Sequence, residues 1–178
     1  DFTKSMKVDY FLKKKDLIKS FDENFTLNNF FYKPYPFYTP YGYQDKKYYS
    51  SIFPKLKILD NSLHSEMLKC KLLIIDHPGT TLNIAMISNT PFLLYWSNIE
   101  YDFTKKMENY LTEFKTLNIF HSNKDSLIKH LNDFRSNSDL MKWWNSDLIQ
   151  GLRIRWCNEY AKADKFWILK WFKALYHH

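Results

Sequence analysis

The stretch that most limits what this chain can fold into is KLLIID, residues 71–76. Leu72, Leu73, Ile74 and Ile75 follow one another with no polar residue between them. A strand with one wet face alternates apolar and polar side chains, so an unbroken run belongs in a parallel sheet covered by helices on both sides. The run stops at Asp76-His77-Pro78-Gly79, and residues 80–88 then carry a helical pattern. Strand, tight turn and helix in this order make half of a βαβ unit. The expectation is a central strand with parallel neighbours on either side.

The rest of the chain supplies those neighbours. Residues 2–21 place Val8, Phe11, Leu12, Leu17 and Ile18 at helical spacing, with lysines outside. Residues 25–32 read as a strand stopped by Lys33-Pro34-Tyr35-Pro36, after which a tyrosine-rich loop runs to Gln44. A short helix precedes Phe53-Pro54, residues 56–59 form a strand, 62–69 a short helix, and 91–96 a further apolar strand. Residues 103–117, 124–134 and a tail from about Leu140 are helical, with Ile119-Phe120-His121 as a short strand. Strands alternating with helices predict an α/β fold built on a Rossmann-like open parallel sheet, with a helical C-terminal extension. Residues 1–139 form the Rossmann-like domain on this reading, and 140–178 pack on it or cross to another domain.

Composition narrows the function classes. The chain has 178 residues, the size of one ordinary domain, and at 45% hydrophobic it can bury a core. A net charge of +7, carried by 23 Lys and 3 Arg, favours anionic ligands such as nucleotides, phosphorylated sugars, nucleic acid or acidic lipid, though excess lysine also serves solubility. Lys13-Lys14-Lys15 and Lys46-Lys47 are too short for a nucleic-acid footprint. Cys70 and Cys157 lie outside any CxxC spacing, which points away from a disulfide framework or structural zinc and toward a reducing cytoplasm. No apolar run approaches the roughly 18–20 residues of a membrane span. The chain begins at Asp1 rather than Met, and we expect it to be part of a larger protein.

Ligands of open parallel sheets bind beyond the carboxyl ends of strands. Two such ends carry suitable groups: Lys33 between prolines, and Asp76-His77-Pro78-Gly79-Thr80-Thr81 leading into a helix. A helix N-terminus offers unpaired N–H groups and partial positive charge to a phosphate. Gly79 permits close approach, Thr80 and Thr81 can donate hydroxyls, and Lys33 adds a full charge. The competing reading is that Thr80 merely caps the helix while Asp76 or His77 satisfies local backbone. GxGxxG, P-loop, HExxH and nucleophile-elbow motifs are absent from the sequence. His64, His121 and His130 lack metal-ligand spacing and read as surface or strand-end residues.

The segments YKPYP (32–36), IIDHPGTT (74–81) and ISNTPFLLYW (87–96), followed by LNIFHSNKDSLIKHLND (117–133) and WWNSD (143–147), together resemble a known family. They are similar to the C-terminal, nucleotide-sugar-binding half of bacterial surface-carbohydrate sugar transferases of GT-B type. The similarity spans roughly residues 30–160. Lys33 stands where the family pattern favours Arg, a point charge in place of a bidentate fork.

The resemblance implies two Rossmann-like domains facing a cleft, with the donor nucleotide sugar held mainly by this one. It implies that Lys33 holds the donor pyrophosphate and that His77, Gly79, Thr80 and Thr81 line the phosphate loop. Glu100 is the nearest candidate for the ribose-gripping glutamate of other GT-B families. The resemblance also implies metal-independent catalysis with no cofactor beyond the donor substrate. The acceptor would be a carbohydrate or lipid-linked sugar, the general base would sit in the N-terminal domain, and this half alone would be inactive. The expected location is the cytoplasm or the inner face of the membrane, with a peripheral membrane contact left open and no nucleic-acid partner expected. Alternatives are a non-catalytic nucleotide- or carbohydrate-binding module, or a basic, aromatic membrane- or nucleic-acid-binding surface. Tyr35, Phe37, Tyr38, Tyr41 and Tyr43 could stack on a base or sugar, or pack in the core or on the other domain. In the tail, Ile168, Trp171, Phe172 and Leu175 share one helical face, and we expect it to offer Trp171 and Phe172 to the other domain or to a neighbouring molecule. An interfacial membrane helix and plain core packing are the competing readings.

Overall fold

The computed structural model describes residues 4–34, 45–96 and 103–161. The tyrosine-rich loop, Glu100 and the tail face carrying Trp171 and Phe172 lie outside the described residues. Strand β4 (Phe92–Tyr95) organises the rest, because all four of its side chains are buried. Its parallel neighbours are β3 (Leu73–Ile75), in register Ile75 with Leu94, and β5 (Phe120–His121), in register Tyr95 with His121. A second parallel pair joins β1 (Phe31–Tyr32) to β2 (Lys57–Ile58). The class is therefore α/β, with parallel strands and helices as the sequence implies.

The KLLIID strand, however, is not central. In the sheet order β3-β4-β5 it stands at one side, and β4 takes the middle. The side chains explain this: β4 is buried along its whole length, whereas in β3 only Ile75 is fully covered. Leu72 and Ile74 instead pack in one apolar cluster with Tyr32 and Ile58, so the β1–β2 pair adjoins β3 through side chains.

Two cores lie on opposite faces of β4, as its two-residue period requires. Phe92 and Leu94 belong to a cluster with helix α4 (Thr80–Ser88), helix α5 (Lys105–Thr116), helix α7 (Asn137–Trp144) and helix α8 (Asp147–Trp156). Leu93 and Tyr95 belong to the other, with helix α1 (Lys4–Asn24), helix α2 (Asp45–Ile52) and helix α6 (Lys124–Asp133). The short helix α3 (Leu63–Met67) contributes Met67 to the first cluster. No helix among the described residues is long and apolar enough to cross a membrane.

Local chemistry sets the helix limits. In α5, Thr104 accepts a hydrogen bond from the Met107 N–H, Glu108 lies in the first turn and Lys115 in the last, each favourable to the helix dipole. Met107, Tyr110, Leu111 and Phe114 then fall on one face and pack into the first core. Helix α4 ends at Asn89, whose φ of 54° is the left-handed conformation asparagine tolerates. The Trp144 indole donates to both the Asn89 carbonyl (3.2 Å) and its side-chain oxygen (2.9 Å), which ties α7 to that turn.

Three further expectations are corrected. Residues 25–32 contain a 3-10 turn, Leu27–Asn29, ahead of the two-residue β1. Phe21 and Phe30 stack at 4.7 Å and Phe25 lies 5.6 Å from Phe30, so this apolar stretch forms an aromatic knot around a turn that Asn28 and Asn29 favour. On α1, Val8 and Leu12 are exposed, and burial begins at Leu17, Ile18 and Phe21. His121 and His130 are buried, although His121 does end a strand.

That histidine pair carries a pH dependence. The His121 Nε2 faces the Asn118 carbonyl at 3.0 Å, which can only accept, so Nε2 bears the hydrogen and Nδ1 accepts from Ser126 at 2.8 Å. The His130 ring lies 5.6 Å from it, among Phe134 and Trp143, with its Nε2 buried and unpartnered. Burial holds both imidazoles below their ordinary pKa of 6.5; the Asn118 bond opposes this in His121 and Asp133 opposes it in His130. Below pH 6.5 the unfolded chain therefore binds protons that the folded chain refuses, and stability falls with pH. Urea unfolding should show lower stability at pH 5.5 than at pH 7.5. His130→Leu should narrow that gap, and equal parent midpoints at the two pH values would contradict the account.

Candidate functional site

Parallel pairing brings the carboxyl ends of β3 and β4 to one edge, where Asp76 follows Ile75 and Trp96 follows Tyr95. Helix α1 crosses this edge. Its Lys14 ammonium is 3.1 Å from Asp76 Oδ2 and donates to the Tyr32 hydroxyl oxygen at 3.2 Å. One turn earlier on α1, the Tyr10 hydroxyl donates to the same carboxylate oxygen at 2.6 Å. The Lys14 ammonium also sits over the Tyr10 and Tyr32 rings, 4.3 and 5.3 Å from their centroids. The ends of β1 and β3 thus meet through one lysine. A cavity of about 20 Å³ lies beside it, enough for roughly one water, lined by Tyr10, Lys13, Lys14, Asp76, Tyr95 and Trp96 among others.

Electrostatics follow from this packing. Burial raises the Asp76 carboxyl pKa, but the Lys14 charge and the Tyr10 hydrogen bond outweigh it and leave the pKa lowered. At His77, withdrawal from water lowers the imidazole pKa, Asp76 pulls it up and Lys14 pushes it down, with a net lowering. The ring is therefore mostly neutral at pH 7. A Cβ added at Gly79 would stand 3.1 Å from His77 Nδ1, a tight contact that a shift of a few tenths of an ångström in the exposed His77 ring would relieve.

Gly79 is the N-cap of α4, and no side chain caps that end. Thr80 is the first helical residue, which removes the reading in which its hydroxyl serves as the cap. Thr80 is exposed and Thr81 half-buried. Lys33 follows β1 at the same kind of strand end but is engaged on the β2 side. Its ammonium donates to the Leu59 carbonyl at 3.4 Å, a long contact, and its charge contributes to lowering the Glu66 pKa behind the Asn61 and Lys69 hydrogen bonds. The structure therefore brings His77 and Gly79 together with Asp76, and holds Lys33 toward α3.

Sequence reasoning missed Tyr10 and Lys14. A signal existed: Lys14 lies one turn from Tyr10 and from Leu17 and Ile18, on the face of α1 that turns inward. A charge on a buried face calls for a partner, and within Lys13-Lys14-Lys15 only its helical position singles it out.

The family model for the LIC12162 family transferases matches residues 2–175. The chain belongs to this transferase family. No curated protein and no solved structure matches it. Among the described residues of this transferase chain, the β1 and β3 ends meet at the α1 lysine close to the α4 turn.

The α4 turn makes a stability prediction. Thr80→Val should change stability by less than about 0.5 kcal/mol, whereas Thr104→Ala, which removes a real cap, should cost about 1 kcal/mol. Urea unfolding of the two variants checks this; a Thr80 loss as large as the Thr104 loss would mean the hydroxyl is structural.

Proposed function

We propose that this chain is the donor-binding domain of a GT-B-type glycosyltransferase that builds bacterial surface polysaccharide, with the nucleotide sugar at the carboxyl edge of the parallel strands. The observation that carries the reading is the meeting of the β1 and β3 ends through Lys14, beside a glycine-capped helix start, in a chain of a transferase family. Open α/β sheets take nucleotides beyond the carboxyl ends of their strands.

On this reading the donor phosphates lie over Gly79, Thr80 and Thr81, where the first N–H groups of the helix and two threonine hydroxyls can donate to them. His77, neutral at pH 7, donates or accepts one hydrogen bond without adding charge. Lys33 reaches the phosphates by giving up its long contact with Leu59. As the bond from the sugar C1 to the phosphate oxygen breaks, negative charge grows on the leaving nucleoside phosphate, and these fixed donors stabilise it without a metal. The acceptor oxygen bonds to C1 and loses its proton to a base. In a GT-B transferase that base, and the acceptor site, belong to the facing N-terminal domain, so this chain binds donor without turning it over. The nucleotide sugar and a carbohydrate or lipid-linked acceptor are the partners, at the inner face of the membrane.

Calorimetric titration with UDP, CMP, GDP and their sugars tests the reading. At least one nucleotide should bind, and Thr80→Val should weaken it by about 1–2 kcal/mol through loss of a charge-assisted hydrogen bond. Absence of binding by every nucleotide, or unchanged affinity in the Thr80 variant, would count against it.

A further inference from the structure

We propose that Lys14 is a positioning residue of the donor site: by pairing with Asp76 it cancels the carboxylate at the mouth of the α4 turn, so that a diphosphate can approach. The proposal rests on the donor-site reading above and adds to it a residue from α1 and a charge-balancing role.

The geometry is specific. The Lys14 side chain is 13% exposed, and its ammonium is shared between Asp76 and the Tyr32 hydroxyl while resting over the Tyr10 ring. Covering a lysine this far costs hydration, which apolar packing on α1 would not require. Asp76 sits three residues before the N-cap of α4, and the charges of both Asp76 and Lys14 are felt at His77. The His77 ring in turn lies against Gly79. A net negative charge at Asp76 would thus be transmitted to the place where an incoming phosphate must sit. Paired with Lys14, the same carboxylate adds no net charge and anchors the turn. Tyr10 donates to the same carboxylate oxygen that Lys14 faces, and the β1 end is drawn in through Tyr32. Helix α1 is therefore part of the donor crevice as well as a covering layer of the sheet.

A simple brace between β1 and β3 would use the same contacts, and a charge-reversal series separates the two roles. The measurement is the affinity of the 178-residue chain for inorganic pyrophosphate by calorimetry, with the far-ultraviolet circular dichroism spectrum as the check on folding. Lys14→Met should weaken pyrophosphate binding roughly tenfold, the effect of one uncancelled charge a few ångströms from the ligand in a partly screened site. Lys14→Arg should stay near the parent. The double variant Lys14→Met, Asp76→Asn should recover most of the loss, because the charge to be cancelled has gone; a brace predicts no recovery. Asp76→Asn alone leaves Lys14 as a net cation and should tighten binding severalfold, which tests the proposal even where Lys14→Met fails to fold. Parent-like affinity in a folded Lys14→Met, no recovery in the double variant, or weaker binding in Asp76→Asn would each overturn it. A parent chain that binds neither pyrophosphate nor any nucleotide would remove the donor-site reading itself, and this role with it.

Discussion

Phe92, Leu93, Leu94 and Tyr95 are all buried, so the strand that carries them must be covered on both faces, and the layering follows from that requirement. Phe92 and Leu94 face α4, α5, α7 and α8; Leu93 and Tyr95 face α1, α2 and α6. Burying each of these side chains stabilises the fold by about 1.5–3 kcal/mol. Phe114, Trp144 and Leu127, fully enclosed on one side or the other, seal the two layers. Parallel pairing is the companion constraint, since helical crossovers are what return the chain to the same end of the sheet.

Parallel pairing also concentrates polar chemistry. All carboxyl ends of β3, β4 and β5 reach one edge, where backbone groups leave the ladder and need other partners. The protein meets that need differently at each end. At β5, His121 turns inward to Asn118 and Ser126 and is lost to solvent. At β3, Asp76 turns to α1 and is met by Tyr10 and Lys14, leaving the following turn with His77, Gly79 and Thr80 at the surface. The same edge is thus closed on the β5 side and chemically open on the β3 side, which is why the transferase reading centres on the α4 turn.

Much of the fold is legible in the residues. The apolar runs at 71–76 and 91–96 and the helical patterns at 80–88, 103–117 and 124–134 are local signals, and the elements they announce are present. The strand at 25–32 misled because aromatic residues suit a pleated strand and an aromatic knot equally well. Of the candidate site, the turn before α4 was legible from its glycine and threonines. The helical position of Lys14 sets it on the inward face, but its partners Tyr32 and Asp76 lie far along the chain and only the fold identifies them.

The sequence by itself determined the α/β class, the parallel sense of the strands and the position of the α4 turn, since each depends on the spacing of apolar residues and on turn residues close in the chain. Only the tertiary structure decided that β4 rather than β3 is central, that His121 and His130 are buried together, that Lys33 leans toward Leu59, and that Lys14 joins Tyr32 to Asp76 across 44 positions of sequence between those two. Those outcomes depend on which distant side chains compete for the same space and the same charge, and no local pattern in the chain encodes that competition.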